Sequence, residues 1–137
     1  MAYKIIDHTA DFGLHVFGTD PQDLFATAAL AMFELITDPQ TVKAAQSLTV
    51  TVEGGDWPDL MVNWLRELLY LWSGRELLVG AIEIQQACEK KITAVIAADR
   101  FDPQRHLIQT EIKAVTYHQI QVKGESTGWE AKIIFDV

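Results

Sequence analysis

Apolar and polar residues alternate without a break in Leu48-Thr49-Val50-Thr51-Val52-Glu53. That period of two predicts a half-buried strand with Leu48, Val50 and Val52 turned inward. The same reading gives strands over residues 3–6, 14–17, 77 to 83 or beyond, 91–98, 110–123 and 129–135. Two stretches follow a helical period instead. Leu24, Ala28, Met32 and Ile36 recur every fourth position with Phe25, Ala29 and Phe33 beside them, which predicts a helix from Pro21 to about Thr37. Leu60, Met61, Trp64, Leu65, Leu68, Leu69 and Trp72 form the apolar face of a second helix, ending at Ser73-Gly74. Each helix has a start signal: Asp20 before Pro21 with Asp23 in the first turn, and Asp56 before Pro58 and Asp59. Asp38-Pro39 stops the first.

This order, with mostly short turns between elements, predicts an α+β single domain over residues 1–137. Two helices pack on a sheet of about seven strands. A chain of 137 residues buries an adequate core without disulfides or a structural metal. Cys88 is alone, so neither a disulfide framework nor a cysteine zinc site is available, and a reducing, cytoplasmic setting fits. The first residues lack the apolar run of a signal peptide. Residues 60–72 carry Asn63, Arg66 and Glu67 and are too short to span a bilayer, so no membrane partner is expected. Neither a G-x-G-x-x-G nor a P-loop is present. With 11 basic residues against 19 acidic, the net charge of −8 argues against strong direct nucleic-acid binding. It suits a cation, a basic protein surface, or solubility alone.

Candidate chemistry gathers at three places. Asp7-His8-Thr9-Ala10-Asp11-Phe12-Gly13 joins the first two strands with more side-chain chemistry than a tight link needs. Two readings stand: a functional loop held by rigid elements, and Asx- or ST-turn hydrogen bonding with His8 a polar surface residue. Asp136 follows the last apolar run. If the last strand pairs beside the first two, Asp11 and Asp136 meet. With the terminal oxygens of Val137 they then form an all-oxygen cluster, suited to calcium, or to magnesium or manganese, rather than zinc. The alternative is a frayed end that binds nothing. Lys113 lies between Ile112 and Ala114 where Thr would serve a strand as well. Within residues 110–123, Thr116, His118, Ile120 and Val122 share one face. His8 with His118 suggests a metal or acid–base pair, or two structural residues. Residues 100–106, with Arg100, Arg105 and His106, read as a solvated connection.

Several segments together resemble the archease family from end to end, with near-unchanged spacing. They are Asp7-His8-Thr9-Ala10-Asp11 followed by Gly13; Met32-Phe33 before Thr37-Asp38; and Asn63-Trp64-Leu65 with Glu67-Leu68-Leu69. Phe101-Asp102-Pro103 with His106, the run from Glu111 to His118, and the closing Phe135-Asp136-Val137 complete the set. The resemblance implies a strand-helix-strand-strand unit and a non-catalytic accessory protein of an RtcB-type RNA ligase. That ligase joins 2′,3′-cyclic-phosphate or 3′-phosphate ends to 5′-hydroxyl ends in tRNA splicing and RNA repair, using GTP and a divalent metal. The accessory protein promotes ligase guanylylation and multiple turnover. By the same resemblance Asp11, Asp136 and Val137 are metal-site residues, Lys113 is needed for activation, and His8, Thr9 and His118 belong to the contact region. Family members often place an acid directly after the glycine before the first helix. Here that residue is Thr19, so Asp20 is assigned only a helix cap. Two other readings remain: a chaperone-like modulator of RNA-processing or RNA-modifying enzymes, and a metal-dependent phosphoesterase using Asp11, Asp136 and a histidine base.

Overall fold

The computed structural model describes residues 2–8 and 11–137, with the backbone alone at residues 7 and 8. The strands are β1 (Ala2–His8), β2 (Asp11–Gly18), β3 (Gln46–Glu53), β4 (Leu77–Cys88), β5 (Lys91–Arg100), β6 (Ala114–Val115), β7 (Gln121–Glu125) and β8 (Gly128–Asp136). Helix α1 (Pro21–Ile36) follows β2, and α2 (Trp57–Arg75) follows β3. The α+β class is as the pattern predicts, but the strands divide between two sheets rather than one. One sheet runs β1-β2-β8-β6, with β7 also paired to β8; the other runs β3-β5-β4. Alternation reports which face of a strand is buried and says nothing about its partner. β3, α2, β4 and β5 are a strand-helix-strand-strand unit, closed as the three-stranded sheet.

The two strand-to-helix joints are built alike. In each, a glycine precedes the cap by two residues, an aspartate caps, a second aspartate follows three on, and leucine comes next: Gly18, Asp20, Asp23, Leu24 and Gly54, Asp56, Asp59, Leu60. Asp20 Oδ1 accepts the Asp23 N–H at 2.8 Å, and Asp56 Oδ1 accepts the Asp59 N–H at 2.9 Å. The second aspartates reach back to the Thr19 and Gly55 N–H groups at 2.9 and 2.8 Å. Free N–H groups at the helix starts are thereby satisfied. The glycines are required by space: a Cβ at either position would lie 2.6 Å from the backbone nitrogen of Leu24 or Leu60.

One apolar cluster joins both helices to both sheets. Trp64 is fully buried and donates its indole N–H to Phe25 O at 3.0 Å, tying α2 to α1 without an orphaned polar atom. Val50 and Val52 are buried as expected and Leu48 is half-buried. Helix α2 runs past Ser73-Gly74 to Arg75 because Glu76 itself takes the left-handed cap conformation (φ 56°), its N–H bonding Trp72 O at 2.9 Å.

Two expectations fail in the last third. The strand over 110–123 is interrupted: only Ala114–Val115 and Gln121–Glu125 pair with β8. Between them Ile120 N–H closes a turn on Tyr117 O at 3.2 Å, with Gln119 at φ 53°. Thr116 donates both its N–H, at 3.1 Å, and its Oγ1, at 3.0 Å, to Ile134 O, and Oγ1 accepts the His118 N–H at 3.2 Å, so a side chain joins the main chain where the strand breaks. Residues 100–106 are a solvated connection only in part: Arg100, Pro103 and Gln104 are exposed, but His106 is enclosed. Asp99 and His106 are buried, 6% and 3% exposed. The Asp102 N–H donates to His106 Nδ1 at 3.0 Å, which leaves Nε2 as the protonated nitrogen facing Asp99 Oδ2 at 3.1 Å and Thr41 O at 3.0 Å. Arg105 adds a bond to Asp99 Oδ2 at 2.9 Å. A polar loop with this composition looks solvated until long-range partners enclose it.

Candidate metal and partner site

Asp11, at the start of β2, and Asp136, at the end of β8, meet on adjacent strands. β2 and β8 are antiparallel with Asp11 directly opposite Asp136. On β1 the backbone position opposite Asp11 is His8, and on β6 the position opposite Asp136 is Ala114. One row across four strands therefore brings together His8, Asp11, Asp136 and the segment containing Lys113. Phe12, Leu14 and Val16 alternate with Asp11 and pair with Phe135, Ile133 and Ala131 on the core side of the sheet. Asp11 and Asp136 thus leave the sheet on its outer face. Directly opposed residues place their Cβ atoms about 5 Å apart, where like charges repel. No salt bridge among the described residues reaches either carboxylate. Asp11 is half-buried and Asp136 is exposed.

Lys113 is joined to this pair through the backbone. Its N–H donates to Asp136 O at 2.8 Å, and its side chain is exposed. Val137 follows Asp136 and is half-buried. His118 lies beyond the strand break, exposed, with its N–H on Thr116 Oγ1 and no hydrogen bond from its ring to a described residue. Thr9 lies outside the described residues, and at His8 only the backbone position is described. Asp20 is occupied as the α1 cap. Among the described residues no three His, Cys, Asp or Glu side chains form a ligating group. The side chains set opposite each other are both carboxylates, donors that fit a hard cation and not a soft one.

Beside the row, α2 contributes a polar stripe that sequence reasoning passed over. Asp59, Asn63, Arg66, Tyr70 and Ser73 recur at helical spacing on a helix that is otherwise apolar, and that periodicity was the available signal. Arg66 Nε donates to Val115 O at 3.0 Å, and the guanidinium lies 4.7 Å from the centre of the Tyr117 ring. Tyr117 donates to Asp59 Oδ1 at 2.7 Å. The Tyr117 bond, then the Gly55 N–H and the Arg66 charge, hold the Asp59 carboxyl below its ordinary range despite some desolvation. The Asp59 bond and desolvation push the Tyr117 hydroxyl up. These contacts fix residues 113–117 against α2. A separate cavity of about 270 Å³ at Phe17, Lys123 and Glu130 lies at the far end of the same sheet, away from the aspartate pair. No described helix is long and apolar enough to cross a membrane.

A two-helix α+β domain with an acidic pair at the meeting of its second and last strands is the class that fold and site define. Comparison with known proteins gives that class a family. The model of the Archease protein family matches residues 3–137. The chain is 34% identical to Protein archease of Methanopyrus kandleri over 140 residues, covering all of both chains. It is 33% identical to Protein archease of Methanosarcina mazei, covering 98% of this chain and 95% of that one. The solution structure of protein 1598 of Methanobacterium thermoautotrophicum superposes with a TM-score of 0.81 at 30% identity, over 98% of each chain. The crystal structure of an archease from Thermotoga maritima, described as a possible chaperone, superposes with a TM-score of 0.67 at 17% identity, over 100% of this chain and 98% of that one, and supports the fold alone. The chain belongs to the archease family.

Proposed function

We propose that this protein is a non-catalytic accessory factor that activates an RtcB-type RNA ligase in tRNA splicing and RNA repair. It does so by promoting guanylylation and repeated turnover of the ligase. The single observation that carries the reading is the Asp11–Asp136 pair, two carboxylates opposed across neighbouring strands with Lys113 bonded to the same backbone. Opposed like charges in register are unfavourable on their own. A divalent cation between them turns that cost into a binding site, with Asp11, Asp136 and the oxygens of Val137 as its donors. Calcium fits this set first, and magnesium or manganese next. A ligase that handles RNA phosphates, GTP and metal presents a basic, metal-rich cleft. An acidic tip on a protein of net charge −8 complements it. Lys113 supplies a point charge towards a phosphate, and His8, Thr9 and His118 belong to the contact region by family likeness.

The test is a ligation assay with this chain at substoichiometric amounts, an RtcB-type ligase, GTP and manganese. Wild type accelerates ligase guanylylation and supports repeated ligation, whereas Asp136→Ala and Lys113→Ala, folded by circular dichroism, do not. Equal stimulation by Asp136→Ala, or none by wild type, overturns the reading. The alternative is a chaperone-like modulator of a client enzyme, possible chaperone being the description of the Thermotoga maritima protein and not a property shown for this chain. That version requires Asp11→Ala to remain fully active with its client. Phosphate-ester turnover by the chain alone, lost in Asp11→Ala, would make it an enzyme instead.

A further inference from the structure

A groove of about 310 Å³ runs between α2 and β6, lined by Arg66, Leu69, Tyr70, Ser73, Lys113 and Val115. Its floor is apolar, since Leu69 and Val115 are buried, and its walls are not. Tyr70 stands on one wall, 56% exposed. Arg66 and Lys113 bring two cations to the same groove. No salt bridge among the described residues engages either of them. Apart from its stack on the Tyr117 ring, Arg66 is hydrogen-bonded among the described residues only through Nε, to Val115 O, which holds the guanidinium in place and leaves its two terminal nitrogens for another acceptor. Asp59 is near enough to feel the Arg66 charge, but its oxygens are taken by the Tyr117 hydroxyl and the Gly55 N–H.

Two cations without a described salt bridge, beside an exposed ring and an apolar floor, are what a nucleotide needs: charge for its phosphate and a flat surface for its base. The volume matches a small-ligand site. An acidic peptide would use the cations and leave Tyr70 idle. We infer that the groove between α2 and β6 binds one nucleotide of single-stranded RNA, with the phosphate on Arg66 and Lys113 and the base against Tyr70. The choice of RNA rests on the ligase reading; the groove itself does not. Since Lys113 N–H bonds Asp136 O, groove and acidic tip are mounted on the same strand pair. RNA bound here lies beside the tip. Two phosphate contacts on an acidic protein give weak binding, so the groove guides an RNA end that a partner already holds.

The test uses the full chain without any ligase, so its outcome is independent of the stimulation assay. Fluorescence anisotropy follows a labelled single-stranded RNA of about ten nucleotides. Wild type binds saturably with a log–log salt slope of about −1.4, or roughly sevenfold weaker binding between 50 and 200 mM salt. Arg66→Gln and Lys113→Gln each reduce the slope by about 0.7. Tyr70→Ala, at an exposed position, weakens binding about fivefold or more with the salt slope unchanged. A polyglutamate peptide fails to displace the RNA. Absence of saturable binding at millimolar chain, binding unaltered by Arg66→Gln and Tyr70→Ala, or displacement by polyglutamate overturns the proposal.

Discussion

At the scale of single residues, the molecule uses charge in two opposite ways. Asp11 and Asp136 are set against each other with no described counter-charge, whereas Asp99 is enclosed by partners. Burial pushes the Asp99 carboxyl up, but the Lys43 N–H, the Arg105 guanidinium and the nearby His106 outweigh it and hold the group below the ordinary carboxylate range. A depressed carboxyl favours folding above its unfolded-state value of about 3.9 and loses that contribution as pH falls through the folded value. Asp99→Ala is therefore expected to cost about 2 kcal/mol at neutral pH, since Arg105, 32% exposed at its side chain, regains part of its hydration. Urea melts of wild type and variant at neutral and acid pH check this. The gap between them should narrow as the acid limb is descended, and a gap independent of pH would reject the assignment.

At the scale of elements, the repeated joint before each helix explains why α1 and α2 begin where they do. Gly18 and Gly54 are needed because the returning helix backbone passes where a Cβ would sit, and the obstructing atoms are backbone, which cannot swing away. Gly18→Ala and Gly54→Ala should each destabilise by roughly 2 kcal/mol through overpacking, with Asp20→Ala costing about 1 kcal/mol through the lost cap. Thermal melts of the three variants rank these effects, and a glycine variant as stable as wild type would remove the steric account. The helices were legible because caps and apolar stripes are local signals. The break between β6 and β7 was not. Residues 110–123 alternate well enough for one strand, yet Gln119 turns left-handed and Thr116 bonds a carbonyl of β8, and the second of these depends on a neighbour distant in sequence.

At the scale of the whole molecule, β8 is the strand that closes the domain, pairing with β2, β6 and β7. It sets Asp136 opposite Asp11 at the start of β2, so a cation held there would link β2 to β8. Calcium at about 100 times its dissociation constant is expected to stabilise wild type by about 2.7 kcal/mol. The same addition should do nothing for Asp136→Asn. Without the ion that variant should be as stable as wild type or slightly more so, because the opposed like charges are gone. Calorimetric melts with calcium and with chelator decide between these outcomes; equal calcium responses would discard the aspartate pair as the site.

By itself the sequence determined the two helices with their caps, the class of the fold and most strands, and it singled out Asp11, Asp136 and Lys113 as candidates by residue type and setting. These follow from periodicity and residue type, which act over a few neighbours. Tertiary structure alone decided that the strands form two sheets, that Asp11 stands opposite Asp136, that His106 of the polar loop is buried against Asp99, and that Arg66 and Tyr70 face Lys113 across a groove. Each of these depends on which strand pairs with which and in what register, and pairing joins residues whose separation along the chain leaves no local trace.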